Sequence, residues 1–413
     1  MTVEWYRDNT LLDTQTYNVD SAEYFCDNPV QAYNKIRIEI PNMQKPNRFL
    51  KIFNISDGIT RQFYNDELEN VEIIEQITNN NQALNINEAS LQILPANTTG
   101  IQFQRTLPFT IYRDNVRFGK FFINTSTSNT KKTLYKLKVS DYIYILEHQT
   151  YLGGLYQEET VSSIISDILL GDVPYSLDAT LGAYKLSGYL PIMNKREALK
   201  QVAFAINALV DTSRSDVINI VPFPTTSSKT LTDSEVVSVE TTQKSIVTRI
   251  QLIVNQPYIP TGASIEEVFN EALNGTKTIY YSSPASVEQI SGGYGIEGNC
   301  NYIVLEGTGG TVTLGVSYYE DLSTIYEKSN PYAVSTDEEK TQVYETTLAC
   351  SDINLIDQLK FVEFYIKAKF KMGSIKVGDI VTLQDRLCRV ISLSYDLKQS
   401  EIYCTAELEA YYG

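Results

Sequence analysis

Apolar and polar residues alternate one by one through long parts of this chain. A period of two is the period of a half-buried β-strand. In KIRIEI, Ile36, Ile38 and Ile40 alternate with Lys35, Arg37 and Glu39. NVEIIEQI (70–77) and ASLQIL (89–94) continue the pattern. In LYKLKVSDY (134–142), Tyr135, Leu137 and Val139 share one face, and Lys136 and Lys138 share the other. LPFTIYRDNVRFGKFFINTS (107–126) predicts a hairpin turning at Asp114 and Asn115, residue types that tolerate turn geometry. Many short strands between turns predict an antiparallel barrel or sandwich over residues 35–147. Residues 1–34 are mixed and rich in Asn and Asp. They predict a partly ordered arm anchored by Trp5 and Tyr6.

The period changes over residues 148–235. In TVSSIISDILLG (160–171), Val161, Ile164, Ile165, Ile168 and Leu169 form a helical stripe, with Gly171 just past its end. In GYLPIMNKREALKQVAFAINALVDTSRSD (188–216), Asn194 and Glu197 have capping-box spacing. Leu199, Val202, Ala203, Ile206 and Leu209 form that helix's buried stripe. SRSD then turns between LVDT and VINIVPF, so this region predicts a small α/β insert. Strand patterns return over 236–350, with glycines clustered at 292–315 as turns. Leu355, Ile356, Leu359, Val362 and Ile366 keep a helical period and predict a helix over 351–367. The VGD turn (377–379) precedes a last set of short strands ending at 413. The order is β, α/β, β without a low-complexity linker. The fold class is mainly β with an α/β insert.

A hydrophobic fraction of 43% over 413 residues is enough for real cores and suggests two to four domains. Tyrosine is abundant, 29 residues against 15 Phe and 1 Trp, which suits half-buried strand surfaces and interfaces. The net charge of −16 argues against nucleic acid or anionic membrane as a direct ligand. MTVEWYRDN has neither the basic nor the apolar segment of a secretory leader, and no apolar run approaches the length of a membrane span. Cys26, Cys300, Cys350, Cys388 and Cys404 are odd in number and widely spaced, matching neither a zinc site nor a disulfide framework.

Catalytic patterns are sparse. His148 is the single histidine, and neither GxSxG nor HExxH occurs. GYGIEG (293–298) spells GxGxxG, but a strand-like NCNYIVLEG follows it where a nucleotide site needs a helix, so it reads as a hairpin turn. Lys and Arg are scattered rather than blocked. The residues therefore predict no catalytic, cofactor-binding or metal site, and a non-enzymatic protein. A carboxylate pair acting on cell-wall glycan and a Tyr-rich carbohydrate- or receptor-binding module are the alternatives.

The layout, more than any single motif, is distinctive. SDYIYILEHQTYLGGLY (140–156) followed by LSGYLPIMNKREALKQVAFAINALVDTSRSDVINIVPF (186–223) resembles the baseplate hub proteins of tailed bacteriophages and prophage tail modules. LENVEIIEQI through KLKVSDY resembles their first tube-like barrel, and KVGDIVTL through TAELEAYYG resembles the second. The resemblance spans roughly residues 35–413. It implies two tail-tube-like antiparallel β-barrels (35–147, and 236–350 with the helix and strands of 351–413) around the insert at 148–235. It also implies a homotrimer forming a pseudo-sixfold ring, with the tail tube protein, a spike or tip protein, the tape-measure protein's C-terminus and other baseplate proteins as partners. The location implied is the virion baseplate, assembled in the host cytoplasm, and the expected tail is a contractile one. An acidic lumen that repels passing DNA is a further expectation. The wall-degrading domain carried by some relatives has no counterpart after the last strands, so that activity is expected from another protein.

Overall fold

The computed structural model describes residues 1–18, 33–40, 62–77, 83–96, 103, 108–129, 131, 133–169, 171, 173–334 and 336–412. The chain divides into two units: Met1–Arg61 with Leu169–Pro174, and Gln62–Ile168 with Tyr175–Gly413.

In the smaller unit, strand Thr2–Arg7 lies between Thr10–Thr16 and Lys35–Glu39, antiparallel to both. Asp8 and Asn9, at φ 49° and 68°, make the tight turn between the first two strands. Val3 and Trp5 are buried on one face. Within the stretch read as a partly ordered arm, residues 2–16 form a hairpin with Trp5 buried, since alternating Val3 and Trp5 ahead of an Asp-Asn turn form a strand signal inside a polar composition. KIRIE, expected to open the first barrel, is the third strand of this sheet instead.

The larger unit is built on an eleven-stranded sheet. Its main path runs Val236–Thr242, Val362–Lys371, Tyr403–Tyr411, Arg386–Asp396, Leu68–Gln76, Glu88–Ile93, Tyr135–Ser140, Val116–Ser128 and Pro108–Arg113. Ile380–Leu383 pairs with 386–396 and carries Ser227–Thr230. The two strand sets that the sequence assigns to separate barrels are joined edge to edge, from Ser392 opposite Gln76 to Asp396 opposite Glu72. They share one hydrophobic cluster that includes Ile73, Leu91, Ile123, Leu137, Phe370, Val390, Leu393 and Leu408. The period of two holds as read: Tyr135, Leu137 and Val139 are buried while Lys136 and Lys138 are exposed. Asp114 and Asn115 turn the hairpin at φ 50° and 63°.

The insert contains helices Val161–Leu169 and Lys195–Ala205. The Asn194 side chain accepts a hydrogen bond from the Glu197 N–H at 2.8 Å and caps the second helix. Ala208–Asp211 pairs antiparallel with Ile218–Pro222, which in turn runs parallel to Tyr175–Leu177.

Two expectations fail between 236 and 371. Among the described residues of 236–350, only Val236–Thr242 joins the large sheet. Arg249–Tyr258, Glu320–Ser329 and Thr341–Thr346 form their own sheet, and residues 266–318 form a four-stranded module with a separate core around Leu305, Val312 and Leu314. The expected helix at 351–367 is one turn, Leu355–Gln358, before strand Val362–Lys371. There Ile366, Ala368 and Phe370 point inward and Lys367, Lys369 and Lys371 outward, a period of two that overrides the helical spacing of its apolar residues.

Candidate assembly interface

The large sheet has a core face and a solvent face. Across the strands, Glu240, Lys367, Glu407, Ser392 and Gln76 are successive partners on the solvent face. Glu72, Ser90, Lys138 and Thr125 form a parallel row, as do Gln92, Lys136 and Thr127. This face is mostly polar, with Ile74 as an exposed apolar residue on it, and in the first row Lys367 stands between Glu240 and Glu407.

The core face holds a polar clamp where the two strand sets meet. Glu75, 1% exposed, points inward between Ile73 and Ile77. Arg214, from the turn of the insert, reaches both its carboxylate oxygens at 3.3 Å through Nε and Nη2. Nη2 also donates to the Ile375 carbonyl at 2.7 Å. The guanidinium packs over the rings of Phe118 and Tyr395, at 5.7 and 5.9 Å from their centroids. Arg214 itself stands at φ 52°, a conformation few non-glycine residues adopt. Burial raises the Glu75 carboxyl above the ordinary range, and the Arg214 charge pulls it back.

A second network lies beside the first. Asp141 caps helix Tyr142–Glu147 by accepting from the Ile143 N–H at 3.0 Å. Its other oxygen accepts from the Asn87 N–H at 3.0 Å and from the Thr212 hydroxyl. The Asn87 amide donates to Thr212 Oγ1 at 2.8 Å, and its oxygen accepts from the Gln76 N–H at 2.8 Å. Burial pushes the Asp141 carboxyl up to about 6, against the pull of these donors. Thr212 and Arg214 thus place the insert's turn on the strand 68–76, on the loop before 88–93 and on the helix after 135–140. Both carboxylates have their oxygens occupied by donors and closed from water, an arrangement suited to holding elements in place.

His148 ends the 142–147 helix, exposed, with Nδ1 2.9 Å from the Tyr144 carbonyl oxygen. Cys300, Cys350, Cys388 and Cys404 are free thiols, and Cys26 lies outside the described residues. Among the described residues no group of three or more His, Cys, Asp or Glu side chains could hold a metal ion, and no helix is long and apolar enough to cross a membrane. GYGIEG is a strand, not a turn, and pairs with 303–307. A Cβ on Gly293 or Gly298 would stand 2.6 or 2.7 Å from the Glu306 or Tyr302 carbonyl oxygen, so these glycines permit close strand approach. The sequence reading missed the clamp residues. The available signal was Glu75 itself, an acid on the apolar face of NVEIIEQI.

No protein-family model and no curated protein sequence matches the chain. Among solved structures, the fold is similar to those of two prophage tail proteins and a further bacterial tail protein. The 43 kDa tail protein of prophage MuSo2 from Shewanella oneidensis aligns at 8% identity over 82% of this chain and 93% of that one, with a TM-score of 0.47. Prophage tail protein gp18 from Listeria monocytogenes aligns at 9% identity over 86% and 91%, with a TM-score of 0.48. A tail protein from Neisseria meningitidis aligns at 12% identity over 84% and 92%, with a TM-score of 0.47.

Proposed function

We propose that this chain is a structural, non-catalytic hub subunit of a phage-type tail, located in the virion baseplate. Three copies form a pseudo-sixfold ring that joins the hexameric tail tube to a trimeric spike or tip, and the ring is assembled in the host cytoplasm. The observation that carries the reading is the fusion of the two strand sets into one sheet, locked at their seam by Glu75–Arg214, with Asp141–Thr212 fixing the turn that carries Arg214. Strands joined in this way move as one unit, as a segment of a tube wall must. The sequence resemblance over residues 35–413 supports the same reading. Tape-measure protein and other baseplate proteins are the remaining partners it implies.

In this proposal the mostly polar face of the large sheet lines the bore. That revises the expectation of an acidic lumen, because Lys136, Lys138, Lys367 and Lys369 stand among Glu72, Glu88, Glu240 and Glu407 on that face. A sign-balanced wall lacks the basic footprint that would retain DNA. The acidity is concentrated elsewhere: residues 249–346 carry 13 Asp and Glu against 4 Lys and Arg. The test is to mix the purified chain with its tail-tube protein and image the product. Rings capped onto tube ends support the hub, whereas clearing of peptidoglycan in a zymogram without ring formation would replace it with the hydrolase reading.

A further inference from the structure

We propose that strand Glu320–Ser329 is a docking edge for an extended segment of a partner protein, one that alternates apolar residues with Lys or Arg. This inference rests on the fold alone and not on the hub reading. The strand lies at the edge of the sheet 320–329, 249–258, 341–346, and no further strand pairs with its outer side among the described residues. Its ten residues pair with 249–258 in unbroken register.

Unprotected edges of this kind invite another strand, so folded proteins blunt them with bulges, prolines, inward charges or short length. Those devices are present on other edges here. Val236–Thr242, Glu266–Tyr280 and Pro108–Arg113 each carry a bulge, and the last begins with proline. Thr341–Thr346 is only six residues long. The 320–329 strand has no bulge, proline or glycine. Its one lysine, Lys328, is turned away to the Asp357 and Leu359 carbonyls at 3.3 and 3.1 Å.

The side chains add apolar surface where a guest strand would lie. Leu322 and Tyr326 stand on one face and Ile325 on the other, 60, 46 and 56% exposed. Glu320, Asp321 and Glu327 surround them, within the most acidic part of the chain. Main-chain pairing would supply affinity and alternate side chains specificity, while the acid rim selects a cationic guest.

The probe is a fluorescein-labelled, capped octapeptide of four Val-Lys repeats, with four Val-Glu repeats as control, titrated into the full chain by anisotropy. Because the chain carries a net charge of −16, two double variants are compared. Leu322→Lys/Ile325→Lys alters the edge. Val237→Lys/Val334→Lys makes the same charge change at two exposed sites elsewhere. The proposal predicts saturable binding of the Val-Lys peptide. It also predicts affinity about tenfold weaker for the edge variant than for the control variant, and bound-state protection of the 320–329 amides. Equal loss in both variants, or protection outside this strand, would overturn it. So would concentration-dependent pairing of the free chain through 320–329, which would make the occupant a second copy.

Discussion

Replacing Arg214 with methionine keeps most of the apolar bulk over Phe118 and Tyr395 but removes the cation. Glu75 is then left in the core without its two 3.3 Å contacts, and the Ile375 carbonyl loses its 2.7 Å donor. Breaking a buried ion pair from one side costs about 3–5 kcal/mol. Glu75 can limit that cost by taking up a proton. For a carboxyl with an ordinary value of about 4.3, protonation at pH 7 costs about 3.7 kcal/mol. The two routes agree on a loss of about 4 kcal/mol at pH 7. The sign with pH follows from the direction of the shift. In the variant, burial raises the folded-state value of Glu75 with no cation to oppose it. A raised carboxyl contributes stability below its unfolded value, and that stability is lost as pH rises through the folded value. The penalty therefore shrinks as pH falls, by up to about 2.7 kcal/mol between pH 7 and pH 5. Native-state hydrogen exchange at 73–76 and 392–396 reads the seam directly. About a thousandfold faster exchange at pH 7 is expected, after correction for intrinsic rates, with a smaller effect at pH 5. Adding Glu75→Gln should abolish the pH dependence. An effect below about 1 kcal/mol, or one equal at both pH values, would refute the view that the seam is clamped by this pair.

Three more substitutions probe the same frame. Thr212→Val keeps the shape but removes the hydroxyl shared by Asp141 and Asn87, and should lower overall stability by about 1–3 kcal/mol in chemical denaturation. Gly188 stands at φ +132°, and a Cβ there would collide with the Thr347 carbonyl oxygen. Gly188→Ala should therefore cost at least about 1–3 kcal/mol and raise exchange at 348–350, while unchanged exchange there would count against the close approach. Asn301 donates from Nδ2 to the Leu152 and Leu190 carbonyls, both at 2.9 Å. Asn301→Ala should loosen the 266–318 module and speed its proteolysis while leaving the main sheet's exchange unchanged.

What the sequence made legible was local. Alternation at 134–142, the Asp114-Asn115 turn and the Asn194 cap act within a few residues, and each is realised. The joint between 68–76 and 386–396 links segments more than 300 residues apart, and no local period encodes such a pairing. The strand at 362–371 was masked because its apolar positions also fit a helical spacing with Leu355 and Leu359. Its exposed lysines, not its apolar residues, discriminate the two. Arg214 sits in SRSD, which reads as an ordinary polar turn until Glu75 is brought beneath it.

The mass of the purified chain in solution, alone and with its tail-tube protein, tests the hub proposal most directly. A trimeric hub predicts a species at three times the 46.6 kDa of one chain that captures the tube protein. A monomer that stays monomeric at every concentration and ignores the tube protein would contradict it.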